Sequence, residues 1–367
     1  MFKKELGISI YPEHFSLEEI KTYLEKCKKN NMTKIFFSLI HLGKVPDEKL
    51  IQKYQEVFLM AKEMGYYNVL DVIEETFPIF GFKTDEVYKF KTLGIDCLRL
   101  DSPLLPKIVA DLSYRNIDLQ INISNNDNFI TNILDFKPKL ENLYGCHNFY
   151  PLKNSALALD AFLESSKRFV DLGIHTSAFV GSLQALKGPQ KYDVPQLVSL
   201  EIIRNLPIRS QAKYLFKTNL VSSVYVGNQA MSDEEIVEFG GTLTIDKFEF
   251  DIHLNDDLLP IEQEIINYQN HFWRGDVSGD FVRSTYPRVD VEGEVTPNHI
   301  KQSLNYGDLC IVNSNNKHYQ KELIIILQDN YKELKDTVNF IGHIKSYDLP
   351  LLKLMRGWDR FSFRNTK

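Results

Sequence analysis

The first 240 or so residues repeat one pattern eight times: a short apolar run of strand-like composition, then a stretch with apolar residues at helical spacing. That alternation leaves few choices, because each strand–helix crossover sets the next strand parallel to the last. The strands read as Leu6 to Ile10, Lys34 to Ile40, Tyr67 to Ile73, Ile95 to Leu100, Ile117 to Ile123, Leu140 to His147, Ile174 to Val180 and Val221 to Val226. Between them, Ser16-Leu17-Glu18-Glu19 and Ser232-Asp233-Glu234-Glu235 read as capped helix starts, Asp47 to Met64 as a helix closed by Gly65, and the stretch near Leu200 to Phe216 as a helix. Eight such units in this length predict a closed (β/α)8 TIM barrel; an open doubly wound sheet usually has fewer repeats.

From about Thr242 the pattern becomes short alternating runs separated by Gly, Asn and Pro: Thr242 to Ile252, Leu309 to Asn313, Leu323 to Gln328 and Val338 to Ile344. The expectation is α/β architecture in two domains, a barrel at 1–241 and a smaller β-rich domain at 242–367.

In a parallel barrel the loops after the strands gather at one face, so residues at strand ends are the site candidates. Reading them off gives Glu13 and His14, Ser38 and His41, Asp71, Arg99 and Asp101, Asn122, and His147-Asn148-Phe149-Tyr150. Two carboxylates facing one cavity suit acid–base work, because burial and mutual repulsion push their pKa values apart. Asp71 and Asp101 could instead pair with Arg99 or cap the next helix. Phe149 and Tyr150 could stack on a sugar face or fill the barrel.

Motifs and charge narrow the chemistry. The chain has no nucleophile elbow, P-loop, dinucleotide turn or zincin helix, and its histidines show no close ligand spacing, so neither a cofactor nor a metal is expected. A metal-dependent barrel hydrolase, with His14, His41, His147 and Asp71 converging, is the weaker alternative. A net charge of −6 argues against a nucleic-acid or membrane-surface partner, leaving a small molecule. The four cysteines form no C-x-x-C pair, and the start lacks a long apolar core, so a reduced, cytoplasmic protein is expected.

Longer motifs carry a resemblance. LGISIYPEH (6–14), LRLD (98–101), HNFYP (147–151), SLEIIR (199–204), RGD (274–276), GDLCIVN (307–313), KELIIIL (321–327) and VNFIGHI (338–344) resemble the bacterial 6-phospho-N-acetylmuramidase family almost end to end. The resemblance implies a cytoplasmic glycoside hydrolase with a TIM barrel and a cyclophilin-like β domain. Its substrate would be recovered cell-wall disaccharide, with N-acetylmuramic acid 6-phosphate cleaved from N-acetylglucosamine. It places functional positions on Glu13, Asp71, Asp101, His147, Asn148 and Glu201, with Arg204, Arg274 and Arg283 as anion ligands. Our order for the general acid is Asp101, then Asp71, then Glu201. His14, Arg99, Asn122 and Tyr150 complete the expected substrate contacts.

Three positions depart from the family pattern: Leu152 where an arginine usually follows HNFYP, Val312 where an acidic residue is usual, and Val72-Ile73-Glu74-Glu75 in place of a Ser-Pro turn. The alternatives are therefore hydrolysis of a different phosphorylated glycoside, or sugar-phosphate binding without catalysis.

Overall fold

The computed structural model describes residues 3–42, 47–185, 187–189 and 196–366. Of the expected loop at 181–196, positions 186 and 190–195 lie outside the described residues. The chain divides into two compact units, 1–244 and 245–367.

In the first unit eight parallel strands close into a barrel in chain order. They are β1 (Glu5–Ser9), β2 (Met32–Ser38), β3 (Tyr67–Val72), β4 (Cys97–Leu100), β5 (Asp118–Asn122), β6 (Leu143–Cys146), β7 (Thr176–Val180) and β8 (Ser223–Val226). The helices are α1 (Leu17–Lys29), α2 (Glu48–Glu63), α3 (Thr76–Ile79), α4 (Pro106–Leu112), α5 (Phe129–Leu134), α6 (Leu159–Val170), α7 (Ile208–Lys217) and α8 (Asp233–Gly240). Ser16 caps α1 and Ser232 caps α8, each in a reciprocal box with the glutamate three residues on.

Strand alternation gives the barrel two faces. Phe37 points outward and meets Phe58 of α2 edge-on at 4.7 Å between ring centroids. Phe36, Val69, Cys97, Cys146, Phe179 and Tyr225 point inward as one apolar cluster, every member no more than 1% exposed. Gly7 of β1 is required there, because a Cβ would lie 2.3 Å from the Tyr225 ring.

Three expected spans differ from the structure. The segment from Leu200 to Phe216 is not one helix: a 3-10 turn at Glu201–Ile203 precedes α7. Pro207 disfavours helical geometry in the residue before it, so the helix restarts behind it. Leu140–Asn142 is a 3-10 turn, which shortens the sixth strand to β6. Gly241–Thr244 is likewise a 3-10 turn, so the first strand of the second unit begins only at Phe248.

The second unit is a curled mixed sheet built from β9 (Phe248–Leu254), β10 (Phe281–Ser284), β11 (Asp308–Val312), β12 (Leu323–Ile326), β13 (Val338–Ile344) and β14 (Phe361–Asn365). The spatial order is β10-β12-β11-β13-β9-β14, antiparallel except for β14 beside β9. Short helices α9 (Pro260–Ile266), α10 (Pro287–Asp290) and α11 (Leu349–Leu352) accompany it. Neither β10 nor β14 was among the expected runs; each is short and only partly buried.

Candidate active site

The parallel register carries one residue row across the barrel: Ser38 of β2 pairs with Asp71 of β3, and Asp71 with Arg99 of β4. Two residues earlier, Phe36, Val69 and Cys97 form the corresponding row, already placed in the inner apolar cluster. A step of two returns to the same face, so Ser38, Asp71 and Arg99 are the next layer up, at the strand C-terminal ends. Asp101 and Asn148 lie two residues beyond Arg99 and Cys146 and share that inward face.

There the barrel opens into a cavity of about 310 Å3 whose walls include Phe36, Ser38, His41, Asp71, Arg99, Asp101, Asn148, Phe149 and Phe179. One guanidinium organises the polar side: Arg99 Nη1 donates to Asp71 Oδ1 at 2.6 Å and to Asp101 Oδ1 at 2.8 Å. Its Nη2 donates to Asn148 Oδ1. Ser38 Oγ donates to the other oxygen of Asp71 at 3.3 Å. The apolar side is aromatic, with Phe149 edge-on to Phe179 at 5.1 Å and to Phe36 at 6.3 Å.

Burial pushes the Asp71 carboxyl up to about 6; the charge of Arg99 opposes this and that of Asp101 adds to it. Such a carboxyl can hold a proton close to neutral pH. A third carboxylate, that of Glu13, stands just behind the wall. Glu13 Oε1 accepts from His41 Nε2 at 2.6 Å, and its Oε2 accepts from Tyr54 Oη at 2.7 Å. Burial favours the neutral form of Glu13, yet the bonds from His41 and Tyr54 outweigh it and hold the carboxyl below its ordinary range.

The cavity therefore brings together Asp71, Asp101, Arg99 and Asn148 from the expected set, with Glu13 supporting His41 behind them. The others lie elsewhere. His147 is one residue out of phase with Asn148 and faces the helices: it is fully buried, stacks on Phe162 of α6 at 4.2 Å, and shares a 2.8 Å hydrogen bond with Ser166. Burial, with the charge of Arg99, lowers its imidazole to about 3. Glu201 and Arg204 clamp the loop after β6. Arg204 Nε and Nη2 donate to the two Glu201 oxygens at 2.7 and 2.8 Å, and the guanidinium also reaches the carbonyls of Tyr150, Leu152 and Gln196. Glu201 further accepts from the backbone N–H groups of Asn154 and Ala156, and these bonds hold its carboxyl low against the effect of burial. Asn122 turns its side chain to the Ser124 N–H, and the His14 ring lies 3.0 Å from the Gly188 carbonyl. Tyr150 contributes its backbone, bridged to Val198.

Many barrels bind phosphate between the loops after strands seven and eight. Among the described residues the chain's own groups occupy donors of the loop after β7. Glu235 of α8 accepts from Ser182 Oγ at 2.5 Å and from the Leu183 N–H at 2.9 Å, while Asn228 Oδ1 takes the Ser182 N–H at 2.9 Å. Glu235 reads in sequence only as a helix cap, so this second use left no signal. Phe36 and Phe179 were missed for another reason: a barrel-strand aromatic reads the same whether it fills a core or floors a cavity.

In the second unit Arg274 and Arg283 both reach Asp276, at 2.7 and 3.0 Å. Behind them the buried Glu322 lies 3.5 Å from Arg283 and 3.3 Å from Arg288, and burial raises its carboxyl despite those cations. Of the positions departing from the family pattern, Leu152 is 69% exposed and Val312 is buried in the sheet core. Among the described residues no group of three or more His, Cys, Asp or Glu is placed to hold a metal.

Residues 6–241 match the family model for 6-phospho-N-acetylmuramidase, N-terminal, and residues 248–364 match that for its C-terminal part. The crystal structure of an uncharacterized B. cereus protein is 30% identical, with a TM-score of 0.86, over 99% of this chain and 100% of that one. A conserved Enterococcus faecalis protein of unknown function is 22% identical, with a TM-score of 0.74, over 98% and 96% of the two chains, and shares the fold. No curated protein matches.

Proposed function

The chain belongs to the 6-phospho-N-acetylmuramidase family, and we propose that it hydrolyses the glycosidic bond between N-acetylmuramic acid 6-phosphate and N-acetylglucosamine in recovered cell-wall disaccharide. One observation carries the reading: Asp71 and Asp101 on a single guanidinium, facing a cavity with an aromatic wall. A sugar ring sets its apolar face against Phe149 and its polar edge toward Asn148 and Asp101.

The chain's residues divide the work as follows. Asp71, buried and able to keep its proton to about pH 6, protonates the leaving oxygen. This favours Asp71 over Asp101 for the acid. Asp101, about one-third exposed and fixed by Arg99, faces the developing positive charge at the sugar carbon or orients water. His41, held by Glu13, lines the opening beside them. Arg204 has its donors committed to the loop and is not proposed as an anion ligand, whereas Arg274 and Arg283, both paired with Asp276, stay as proposed anion ligands of the second unit. A cyclophilin-like second domain and a cytoplasmic location belong to the same proposal; among the described residues no helix is long and apolar enough to cross a membrane.

Turnover of a chromogenic 6-phospho-glycoside tests the reading. Release of the chromophore that chelator leaves unchanged supports it. Tight binding without turnover would favour a sugar-phosphate binder, and loss of activity with chelator a metal-dependent hydrolase.

A further inference from the structure

The second unit carries an open cleft of about 280 Å3 lined by Asn270, Phe272, Tyr286, Trp358 and Arg360. Asn270 also borders an adjoining groove whose walls include the amides of Gln263, Asn267 and Gln269. Backbone pairing builds the cleft: Trp273 N donates to Asp359 O at 2.9 Å, Phe361 N to His271 O at 3.0 Å, and Trp358 N to Trp273 O at 2.7 Å. The two segments lie side by side, and the rings of Phe272 and Trp358 stack with 6° between planes and 5.7 Å between centroids. Tyr286 meets Phe272 edge-on at 4.6 Å.

The exposure of this platform is unusual for a side chain so firmly held. Trp358 is 71% exposed and Tyr286 50%. Trp358 adopts φ +74, a left-handed backbone conformation that large side chains rarely take and that clusters at binding sites. Its indole lies so close over Gly275 that a Cβ there would stand 2.3 Å from Nε1. The fold thus keeps a flat indole in water, backed by a parallel ring, without gaining burial in return.

We propose that this cleft of the second unit is a saccharide-binding site, taking a pyranose ring of an N-acetylated amino sugar. The apolar C–H face of such a ring lies on the Trp358 indole, as flat apolar groups lie on aromatic faces. Its hydroxyl and acetamido groups both donate and accept, as do the amides of Asn270 and its neighbours, and Arg360 donates to carbonyl oxygen. A bare apolar partner would leave those polar groups unmatched. The site uses none of the barrel's carboxylates.

The test titrates the full-length protein with N,N′-diacetylchitobiose, following tryptophan emission and calorimetric heat. The chain has two tryptophans, and Trp273 is 7% exposed, so a contact-induced shift reports Trp358. Saturable binding is expected, lost in Trp358→Ala and weakened about tenfold by Asn270→Ala. Should Trp358→Ala not fold, Tyr286→Ala serves, with the same weakening expected. Absence of any heat or emission change, or undiminished affinity in the folded variants, would overturn the site. Because the readout is binding of an unphosphorylated sugar, a chain that hydrolyses nothing still gives an answer.

Discussion

Asp71 and Asp101 share one nitrogen of Arg99, 2.6 and 2.8 Å from their respective oxygens, yet the side chain of Asp71 is 9% exposed and that of Asp101 35%. The same cation therefore meets two carboxylates in different dielectric surroundings. Burial raises Asp71 to about 6 in spite of the ion pair. An acid catalyst must be protonated, so turnover should fall as pH rises above about 6. Asp71→Asn should lower kcat by a factor on the order of 10² to 10⁴ and remove that limb of the profile. The loss should be smaller with a nitrophenyl leaving group, which needs little protonation. Equal losses on both substrates would return the acid's role to Asp101.

Arg99→Met should destabilise the protein by about 3–5 kcal/mol near pH 7.5, because it leaves a buried carboxylate without its cation. The sign with pH follows from Asp71. Its folded pKa is raised, and losing Arg99 raises it further, so the variant's stability is greatest in acid and lost as pH rises through the folded pKa. Urea denaturation of both proteins at pH 5 and 7.5 checks this. A deficit that is the same at both pH values would contradict it.

His147 gives the opposite slope. Burial holds its folded pKa near 3, while the unfolded imidazole titrates near 6.5. The unfolded chain thus binds the extra proton, and stability is lost as pH falls from 6.5 toward 3. His147→Leu should flatten stability against pH over that window and leave turnover of the folded protein largely intact. An unchanged slope together with lost turnover would place His147 in the site instead.

Glu201→Gln leaves the Arg204 guanidinium, with its side chain only 2% exposed, short of its carboxylate. The expected outcome is destabilisation of about 3 kcal/mol with kcat in the folded protein changed by less than about tenfold. A hundredfold drop in kcat without loss of stability would make Glu201 a catalytic residue.

The barrel was legible because each strand is buried on both faces and reads as an apolar run, and because Ser16 and Ser232 announce their helices. Parts of the site were legible for a related reason: polar residues at the ends of such runs, Asp71 and Arg99 among them, have few structural uses. What failed was phase. His147 and Asn148 are neighbours at one strand end, and only the seating of Cys146 in the inner cluster tells which of them faces the cavity. Glu201 and Arg204, three apart, could have been read as a local ion pair. Glu235 could not, since its second partner, Ser182, is 53 residues away. In the second unit β10 and β14 are short and half-exposed, and the brief alternation of Phe361-Ser362-Phe363-Arg364 was passed over.

The most direct test of the account is to incubate the protein with the disaccharide of N-acetylmuramic acid 6-phosphate and N-acetylglucosamine and to quantify free N-acetylglucosamine. The unphosphorylated disaccharide and the Asp71→Asn protein run alongside. The account predicts release from the phosphorylated substrate, far less from the unphosphorylated one, and background release with Asp71→Asn. No release by the unaltered protein while it still binds the phosphorylated sugar, or equal rates on both disaccharides, would contradict it.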